Sequence, residues 1–384
     1  MSEEAGPPPQ VESESNPAPE MVRESEVVGR SDGTASGVRI VSDNSAAAAA
    51  GGDVAEARGA ATESDDEETG NPVSLQLATR RTYTDNEDLP PQEVDLDPEA
   101  TDVDLNHYRL RQIENLEVLT KVEILCLRWN FIKKIENLNS LTTLTCLELY
   151  DNQITTIENL DQLVNLEVLD ISFNRLRKIE NLGTLKNLKK LYLCSNKITK
   201  IENLDELEGL ELLELGDNKL RVIENLDKLT KLKELHLGKN KITKLENLDT
   251  LSELNTLAMQ SNRLTKLEGL SNLKKLEQLY VSHNGIEKIE GLENNVLLET
   301  LDIASNRIQR IENVKHLNLL AEFWFNDNKL SEWGDLDNLP KEKLETVYFE
   351  RNPIWVDGKD PNYRRKIKLA LPSIQQIDAT LCRV

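Results

Sequence analysis

The chain has 384 residues and a formal net charge of −22. Residues 1–100 hold 23 acidic and six basic side chains, a net charge of −17, so the remaining residues are nearly balanced. Such an acidic protein lacks the positive surface that nucleic acids and anionic membranes attract, and we expect neither as a partner. Four cysteines give no disulfide framework and favour a reducing compartment.

Targeting and membrane segments are not expected from the sequence. No apolar run approaches the length of about 18 residues that a membrane span needs. The first ten residues, MSEEAGPPPQ, have no apolar stretch of the kind that a signal peptide carries.

Residues 1–100 have the composition of a disordered acidic tail. They contain nine of the 13 prolines and eight of the 17 glycines, a bias that leaves too few apolar side chains for a core. Ser64, followed by the acidic residues 65–68, is a candidate phosphorylation site for an acid-directed kinase. The alternative is a solvating tail with no specific role.

From residue 122 the chain repeats itself every 22 residues. Residues 144–165 read LTCLELYDNQITTIENLDQLVN, and the apolar positions refill one period later. One asparagine recurs in ten successive repeats: Asn130, Asn152, Asn174, Asn196, Asn218, Asn240, Asn262, Asn284, Asn306 and Asn328. This pattern predicts an α/β leucine-rich-repeat solenoid, a horseshoe with a parallel concave sheet, a short helical convex side and terminal caps.

The ends of the array depart from the repeat. We expect an N-terminal capping repeat at 101–121, regular repeats at 122–351 and a C-terminal cap at 352–384, because terminal repeats face solvent on one side. Asn352 follows Asn328 by 24 residues, which predicts an insertion near residues 340–343. Asp360 and Pro361 predict the start of a helix.

Two positions of the repeat have structural explanations. The asparagine lies where the chain leaves the strand, and its amide can pair with backbone groups that stacking would otherwise bury unpaired. One glutamate also recurs with the same period, a few residues after the asparagine position. We expect this glutamate column at the start of a helical turn, where a carboxylate is favoured. The alternative is a site for calcium or a basic partner. The column is Glu114, Glu136, Glu158, Glu180, Glu202, Glu224, Glu246, Glu268, Glu290 and Glu312.

No catalytic motif is present in the sequence. There is no Gly-rich phosphate loop, no His-x-x-x-His pair and no cysteine pair with zinc spacing. We therefore expect neither enzyme activity nor a cofactor. Cys126 and Cys146 fall on adjacent predicted strands and the same face, where reduced thiols are favoured over a bridge or a metal site.

The outward side chains of the predicted strands suggest a binding surface. Strand alternation buries the leucines of Leu-x-Leu and exposes the residue between them. In eleven strands this exposed column alternates between acidic and large aromatic residues, identities that the fold does not require. Trp324 is a natural interface anchor. The eleven strands span about 50 Å, which suits a folded partner carrying lysines or arginines.

Several segments are similar to one known family. These are DISFN at 170–174, YVSHNGIE at 280–287, DIASNR at 302–307, ETVYFERNP at 345–353 and LPSIQQIDAT at 371–380. Together with the repeated Ile-Glu-Asn-Leu, they resemble the leucine-rich-repeat regulatory subunits of protein phosphatase 1. The resemblance covers residues 102–384.

The resemblance implies a non-catalytic subunit that binds the phosphatase catalytic subunit through the concave face and controls its activity, maturation or localisation. It also implies a nuclear and cytoplasmic protein with roles in mitosis. Whether a further phosphatase inhibitor joins the two proteins in a ternary complex is left open. The candidate partner-binding residues are Glu148, Asp170, Tyr192, Glu214, His236, Tyr280, Asp302, Glu322, Trp324 and Tyr348.

The sequence departs from the family pattern at two positions. Tyr192 and His236 stand where the family has phenylalanine, and His236 loses apolar area and adds a titratable group. The basic-Val-x-Phe docking peptide of many phosphatase partners is absent from residues 1–100. The alternative function is that of a structural adaptor in a ribonucleoprotein or cytoskeletal assembly.

Overall fold

The computed structural model describes residues 38–40 and 94–382. It contains a two-stranded antiparallel sheet, formed by β1 (Val38–Ile40) and β2 (Val94–Leu96), and a second sheet of 14 strands. The strands of the larger sheet are β3 (Asp102–Asp104), β4 (Ile124–Cys126), β5 (Cys146–Glu148), β6 (Val168–Asp170), β7 (Lys190–Tyr192), β8 (Leu212–Glu214), β9 (Glu234–His236), β10 (Thr256–Ala258), β11 (Gln278–Tyr280), β12 (Thr300–Asp302), β13 (Glu322–Trp324), β14 (Thr346–Tyr348), β15 (Gln376–Ile377) and β16 (Thr380–Leu381).

The strands of the larger sheet lie in sequence order, and all pair in parallel except the final β15–β16 pair. Each pair from β3 to β13 aligns residues 22 positions apart, as Leu147 of β5 lies beside Leu169 of β6. Between β13 and β14 the offset is 24, with Trp324 beside Tyr348, which confirms the expected two-residue insertion. The predicted leucine-rich-repeat solenoid is therefore confirmed.

The core is one continuous stack of aliphatic side chains. The middle residue of every strand from β4 to β14 is fully buried, as are the leucines and isoleucines of the connecting segments except Leu297 and Leu319, which are exposed. Each repeat buries one face of apolar side chains against the next repeat, so none can fold alone. At the C-terminal end Phe323, Phe325 and Phe349 replace aliphatic residues and pack ring against ring.

The convex side is built of turns, and the prediction of helical return segments is wrong. In one repeat, for example, leucines recur every three residues, at Leu138, Leu141 and Leu144. The amide of Leu141 donates to the Leu138 carbonyl at 3.0 Å, and the amide of Leu144 donates to the Leu141 carbonyl at 3.1 Å. This spacing favours single tight turns because an α-helix needs bonds four residues apart. Among the described residues the helical segments are 3₁₀ turns at Trp333–Asn338 and Pro353–Gly358 and one α-helix, α1 (Tyr363–Ala370).

The glutamate column consequently does not lie at a helix start, so the explanation by helix capping is also wrong. Its members are half-buried, and three pair with a lysine two residues earlier. The Nζ–Oε2 distances are 3.8 Å for Lys134–Glu136, 3.7 Å for Lys200–Glu202 and 3.1 Å for Lys244–Glu246. Within the described part of the chain, no group of three or more His, Cys, Asp or Glu side chains is arranged to hold a metal ion.

The predicted asparagine column satisfies buried backbone groups across repeats. Asn152 donates from Nδ2 to the carbonyls of Leu127 at 2.9 Å and Leu149 at 3.1 Å, and its Oδ1 accepts the Ile132 amide at 3.0 Å. The same bonds recur along the array. Each asparagine therefore joins its own repeat to the one before it.

A second asparagine column was not predicted. Asn137, in Ile-Glu-Asn-Leu, has a left-handed backbone (φ 59°) and donates from Nδ2 to the carbonyl of Ile113 at 2.6 Å. Gly269 and Gly291 take the same position in two later repeats, with φ of 69° and 73°. Asparagine and glycine tolerate this backbone region best, which explains the composition of the column.

Both ends of the array are covered. The expected C-terminal helix is present as α1, beginning at Tyr363, and Tyr363 and Ile367 are buried against the last repeats. At the other end Leu96 is buried, so the described fold begins before the expected boundary at residue 100. The rest of the predicted tail, with Ser64, lies outside the described residues apart from β1. No described helix is long and apolar enough to span a membrane.

Replacing Leu213 by alanine should cost about 2–5 kcal/mol of unfolding free energy, because the side chain is fully buried and leaves a cavity. The adjacent outward change, Glu214→Ala, should alter stability by less than about 1 kcal/mol. Urea denaturation of both variants measures these differences. Equal losses would show that the inward and outward assignments are wrong.

Asn218→Ala should cost on the order of 3 kcal/mol, because it leaves the buried Ile198 amide without its acceptor. It also removes donors to the Leu193 and Leu215 carbonyls. The matched control is Asn272→Ala, in which an exposed asparagine is removed and little change is expected. A cost below that of the control would contradict a structural role for the column.

Candidate functional site on the outward face of the sheet

The ten candidate residues lie on one face of the larger sheet. Nine are the third residue of their strand, and Glu322 is the first residue of β13, so strand alternation directs all ten away from the core. In-register pairing then stacks them into a column that we call the outward column. Asp302 is buried and the other nine are half-buried. Sequence periodicity thus located the set correctly in space.

An aromatic cluster occupies the C-terminal part of the outward column. The Trp324 ring meets Tyr280 and Tyr348 edge to face, with centroid separations of 6.4 and 5.7 Å. Its Nε1–H is buried and has no hydrogen-bond partner in the structure. A buried donor left unpaired costs about 1–3 kcal/mol, a cost that an acceptor on another molecule would remove.

Three carboxylates of the outward column are held by the backbone of the turn that follows each strand. Asp170 Oδ1 accepts the Ser172 amide at 2.9 Å, Glu214 Oε1 accepts that of Gly216 at 2.7 Å and Asp302 Oδ1 accepts that of Ala304 at 3.1 Å. These bonds fix the orientation of each carboxylate.

Burial raises the pKa of all three carboxylates, because a desolvated carboxylate is less stable as an anion. The backbone amides oppose this shift without cancelling it. Half-burial also raises the pKa of Glu322 and Glu350, and it raises that of Tyr192 to about 12. The outward column is therefore a partly desolvated acidic surface on which a cation from a partner would be strongly favoured.

Glu148 differs from the other acids because it is already neutralised. Its Oε1 accepts from Arg128 Nη2 at 2.6 Å, and its Oε2 accepts from the Cys126 thiol at 3.0 Å. All four cysteines are thiols without disulfide bonds, so Cys126 and Cys146 are not bridged. Burial raises the pKa of the Cys126 thiol, which keeps it protonated at neutral pH.

His236 lies between two carboxylates. Its Nε2 is 3.4 Å from Glu234 Oε2 and its Nδ1 is 3.9 Å from Glu214 Oε2. The histidine therefore places two polar ring nitrogens beside carboxylates in the middle of the outward column.

An aromatic ladder lies at the N-terminal end of the array, and none of its members was among the candidate residues. The His107 and Trp129 rings stack at 4.4 Å, Trp129 meets Tyr150 at 5.6 Å, and Tyr150 meets Phe173 at 4.8 Å. His107, Trp129 and Phe173 have positive φ, a region that bulky residues rarely adopt. Aromatic residues directly before the asparagine position, where Asp or Ser stand in several repeats, are the signal in the sequence.

Replacing Asp302 by asparagine should stabilise the protein at neutral pH. The raised pKa means that the folded state holds its proton more tightly than the unfolded state, so ionisation lowers stability as pH rises. Asparagine can keep the bond to the Ala304 amide and carries no charge. The expected increase in Tm is on the order of 2 °C.

Thermal unfolding of Asp302→Asn and the unchanged protein at several pH values checks this prediction. The difference should vanish at pH values below the ordinary pKa of aspartate, where both side chains are neutral in both states. Lower stability of the variant at neutral pH would contradict it.

The middle of the array matches the family described as "Leucine Rich repeats (2 copies)", at residues 164–206, 208–250 and 252–294. Among solved structures, an internalin from Listeria monocytogenes is similar with a TM-score of 0.58 and 24% identity. That similarity covers 72% of this chain and 86% of the internalin, and it concerns the fold alone.

Two curated relatives are named "Protein phosphatase 1 regulatory subunit 7". The protein from Xenopus tropicalis is 61% identical over 56 residues, which are 15% of this chain and 16% of the relative. The protein from Danio rerio is 65% identical over 52 residues, 13% of this chain and 14% of the relative. The chain thus has the leucine-rich-repeat fold, and over the matched stretch it is similar to the regulatory subunits of protein phosphatase 1.

Proposed function

We propose that this chain is a non-catalytic regulatory subunit that binds the catalytic subunit of protein phosphatase 1 and controls its activity, maturation or localisation. The outward column is the docking surface. The observation that carries the proposal is the contiguity of half-buried carboxylates with the Trp324 cluster, which contains an unpaired buried donor.

The size of the surface supports a folded partner. Eleven strands at about 4.8 Å each give a face about 50 Å long, which far exceeds a small molecule. The desolvated carboxylates of Asp170, Glu214 and Asp302 select lysine or arginine side chains on that partner, because a cation relieves the cost of burying each anion. The backbone bonds hold each carboxylate ready before the partner arrives, which reduces the entropy cost of binding.

A regulatory rather than catalytic role is supported in two ways. The relatives are named regulatory subunits, and the leucine-rich-repeat fold is a scaffold for protein interaction. The carboxylates of Asp170, Glu214 and Asp302 accept backbone amides of the turns that follow their strands. We infer that any phosphatase chemistry belongs to the partner.

The cellular setting is a separate proposal that rests on the resemblance alone. It includes a nuclear and cytoplasmic location, a role in mitosis, and a further phosphatase inhibitor joining a ternary complex. Fluorescence microscopy of the tagged chain through the cell cycle tests the first two. Co-purification with the phosphatase, followed by mass spectrometry, tests the third.

The docking surface is tested with Trp324→Ala and Asp302→Ala. Each residue lies in the tightly packed part of the outward column, and a central anchor lost from an interface costs at least about 2 kcal/mol, or roughly 30-fold in affinity. Titration of the purified phosphatase catalytic subunit by calorimetry measures the change, and the double variant should lose detectable capture.

The matched control is Asp227→Ala, in which an exposed carboxylate on the turn side is removed and affinity should not change. Undiminished capture by the folded double variant would rule out the outward column as the docking surface. Capture of ribonucleoprotein or cytoskeletal components in place of the phosphatase would favour the adaptor alternative.

A further inference from the structure

A strongly basic patch lies directly after the buried asparagine column in five consecutive repeats. The four residues that follow each asparagine read RLRK at 175–178, KITK at 197–200, KLRV at 219–222, KITK at 241–244 and RLTK at 263–266. They contain eleven cations and no carboxylate. We call these eleven side chains the basic flank: Arg175, Arg177, Lys178, Lys197, Lys200, Lys219, Arg221, Lys241, Lys244, Arg263 and Lys266.

The basic flank has definite ends. The preceding repeat places the uncharged residues QITT at 153–156 in the same positions, and the following repeat places GIEK at 285–288 there. A charge pattern required by the fold would continue without interruption, as the asparagine column does. Two cations recur at these positions in FIKK at 131–134 and in RIQR at 307–310, so the five repeats are the longest unbroken basic run in the array.

Most cations of the basic flank are exposed to solvent and are not paired with any described carboxylate. All eleven are exposed except Lys241, which is half-buried. In the described part of the chain, only Lys200 and Lys244 form ion pairs, with Glu202 and Glu246. The leading residues Arg175, Lys197, Lys219, Lys241 and Arg263 align in a row because neighbouring strands are in register.

The geometry suits a short extended anion. Five repeats at about 4.8 Å give a row about 19 Å long, which matches roughly six residues of extended peptide. Because the Debye length is about 8 Å at physiological salt, a short segment responds to the flank and to the adjoining glutamates, such as Glu202 and Glu246, rather than to the total net charge of −22. A long polyanion or a membrane would extend onto the surrounding acidic surface.

The side chains also discriminate between classes of polyanion. The flank contains no aromatic residue, so it offers unpaired nucleobases no ring on which to stack. We propose that the basic flank binds an acidic segment, rich in aspartate, glutamate or phosphoserine, of a partner protein. This second surface is separate from the outward column and does not depend on the proposed phosphatase binding.

The proposal is tested with the full chain and a fluorescein-labelled peptide containing six consecutive glutamates, by anisotropy at several salt concentrations. The unchanged protein should bind the peptide, with affinity falling as salt rises. A variant with Arg175→Glu, Lys197→Glu, Lys219→Glu, Lys241→Glu and Arg263→Glu should bind at least tenfold more weakly. Thermal unfolding verifies that the variant folds.

The control variant carries the same charge change elsewhere: Lys186→Glu, Lys189→Glu, Lys228→Glu, Lys231→Glu and Lys275→Glu. It should retain peptide binding within about twofold, since these lysines lie outside the flank. Equal losses in both variants would overturn the proposal, because net charge rather than the flank would then explain binding. Absence of binding to the unchanged protein would also overturn it.

Two further experiments distinguish the class of ligand and test whether the two surfaces bind independently. Tighter binding to a twelve-nucleotide single-stranded RNA or to phosphatidylserine vesicles than to the peptide would overturn the assignment to a protein segment. The flank variant should still capture the phosphatase catalytic subunit if the unchanged protein does. Loss of both activities would place the flank within the phosphatase interface and overturn its independence.

Discussion

The stacking of one repeat on the next is the constraint on which the whole structure depends. A three-residue strand and a pair of tight turns cannot bury an apolar face, so every repeat takes its core from its neighbours. Two columns of asparagine side chains complete this stacking, because they donate hydrogen bonds to backbone carbonyls of the preceding repeat. The period changes to 24 residues where a 3₁₀ segment replaces the usual turns, and there Asn352 keeps the same bonds to Phe325 and Leu330 of the preceding repeat.

The same constraint leaves the outward side chains without a structural requirement. Because inward leucines and asparagines supply the stability, the residues between them can be selected for other purposes. Asp302 illustrates the consequence: it is buried, its pKa is raised, and its charge lowers the stability of the isolated chain. Trp324, with an unpaired indole N–H, is a second such position. These local costs at neighbouring sites of one sheet are consistent with a surface completed by a partner.

Charge is separated between two adjoining surfaces of the repeats. The outward column is acidic and aromatic, whereas the basic flank follows the asparagine column only a few residues later in the chain. Because different positions of the repeat form the two surfaces, changes at one set of positions alter one surface and leave the other intact. This arrangement allows the two proposed interactions to be removed separately by substitution.

The sequence alone determined the solenoid, its register and the identity of the outward column, because a 22-residue period with strand alternation leaves little freedom in which side chains face the core. It could not determine the form of the convex side: three-residue leucine spacing is compatible with either a short helix or successive turns, and only the folded backbone showed turns. The left-handed backbone at Asn137 and the ladder that includes His107 also required the structure, since both depend on contacts with the preceding repeat. Burial decided the direction in which the pKa values of the outward carboxylates shift, because the pKa of a carboxylate depends on how much water its neighbours exclude rather than on its place in the chain.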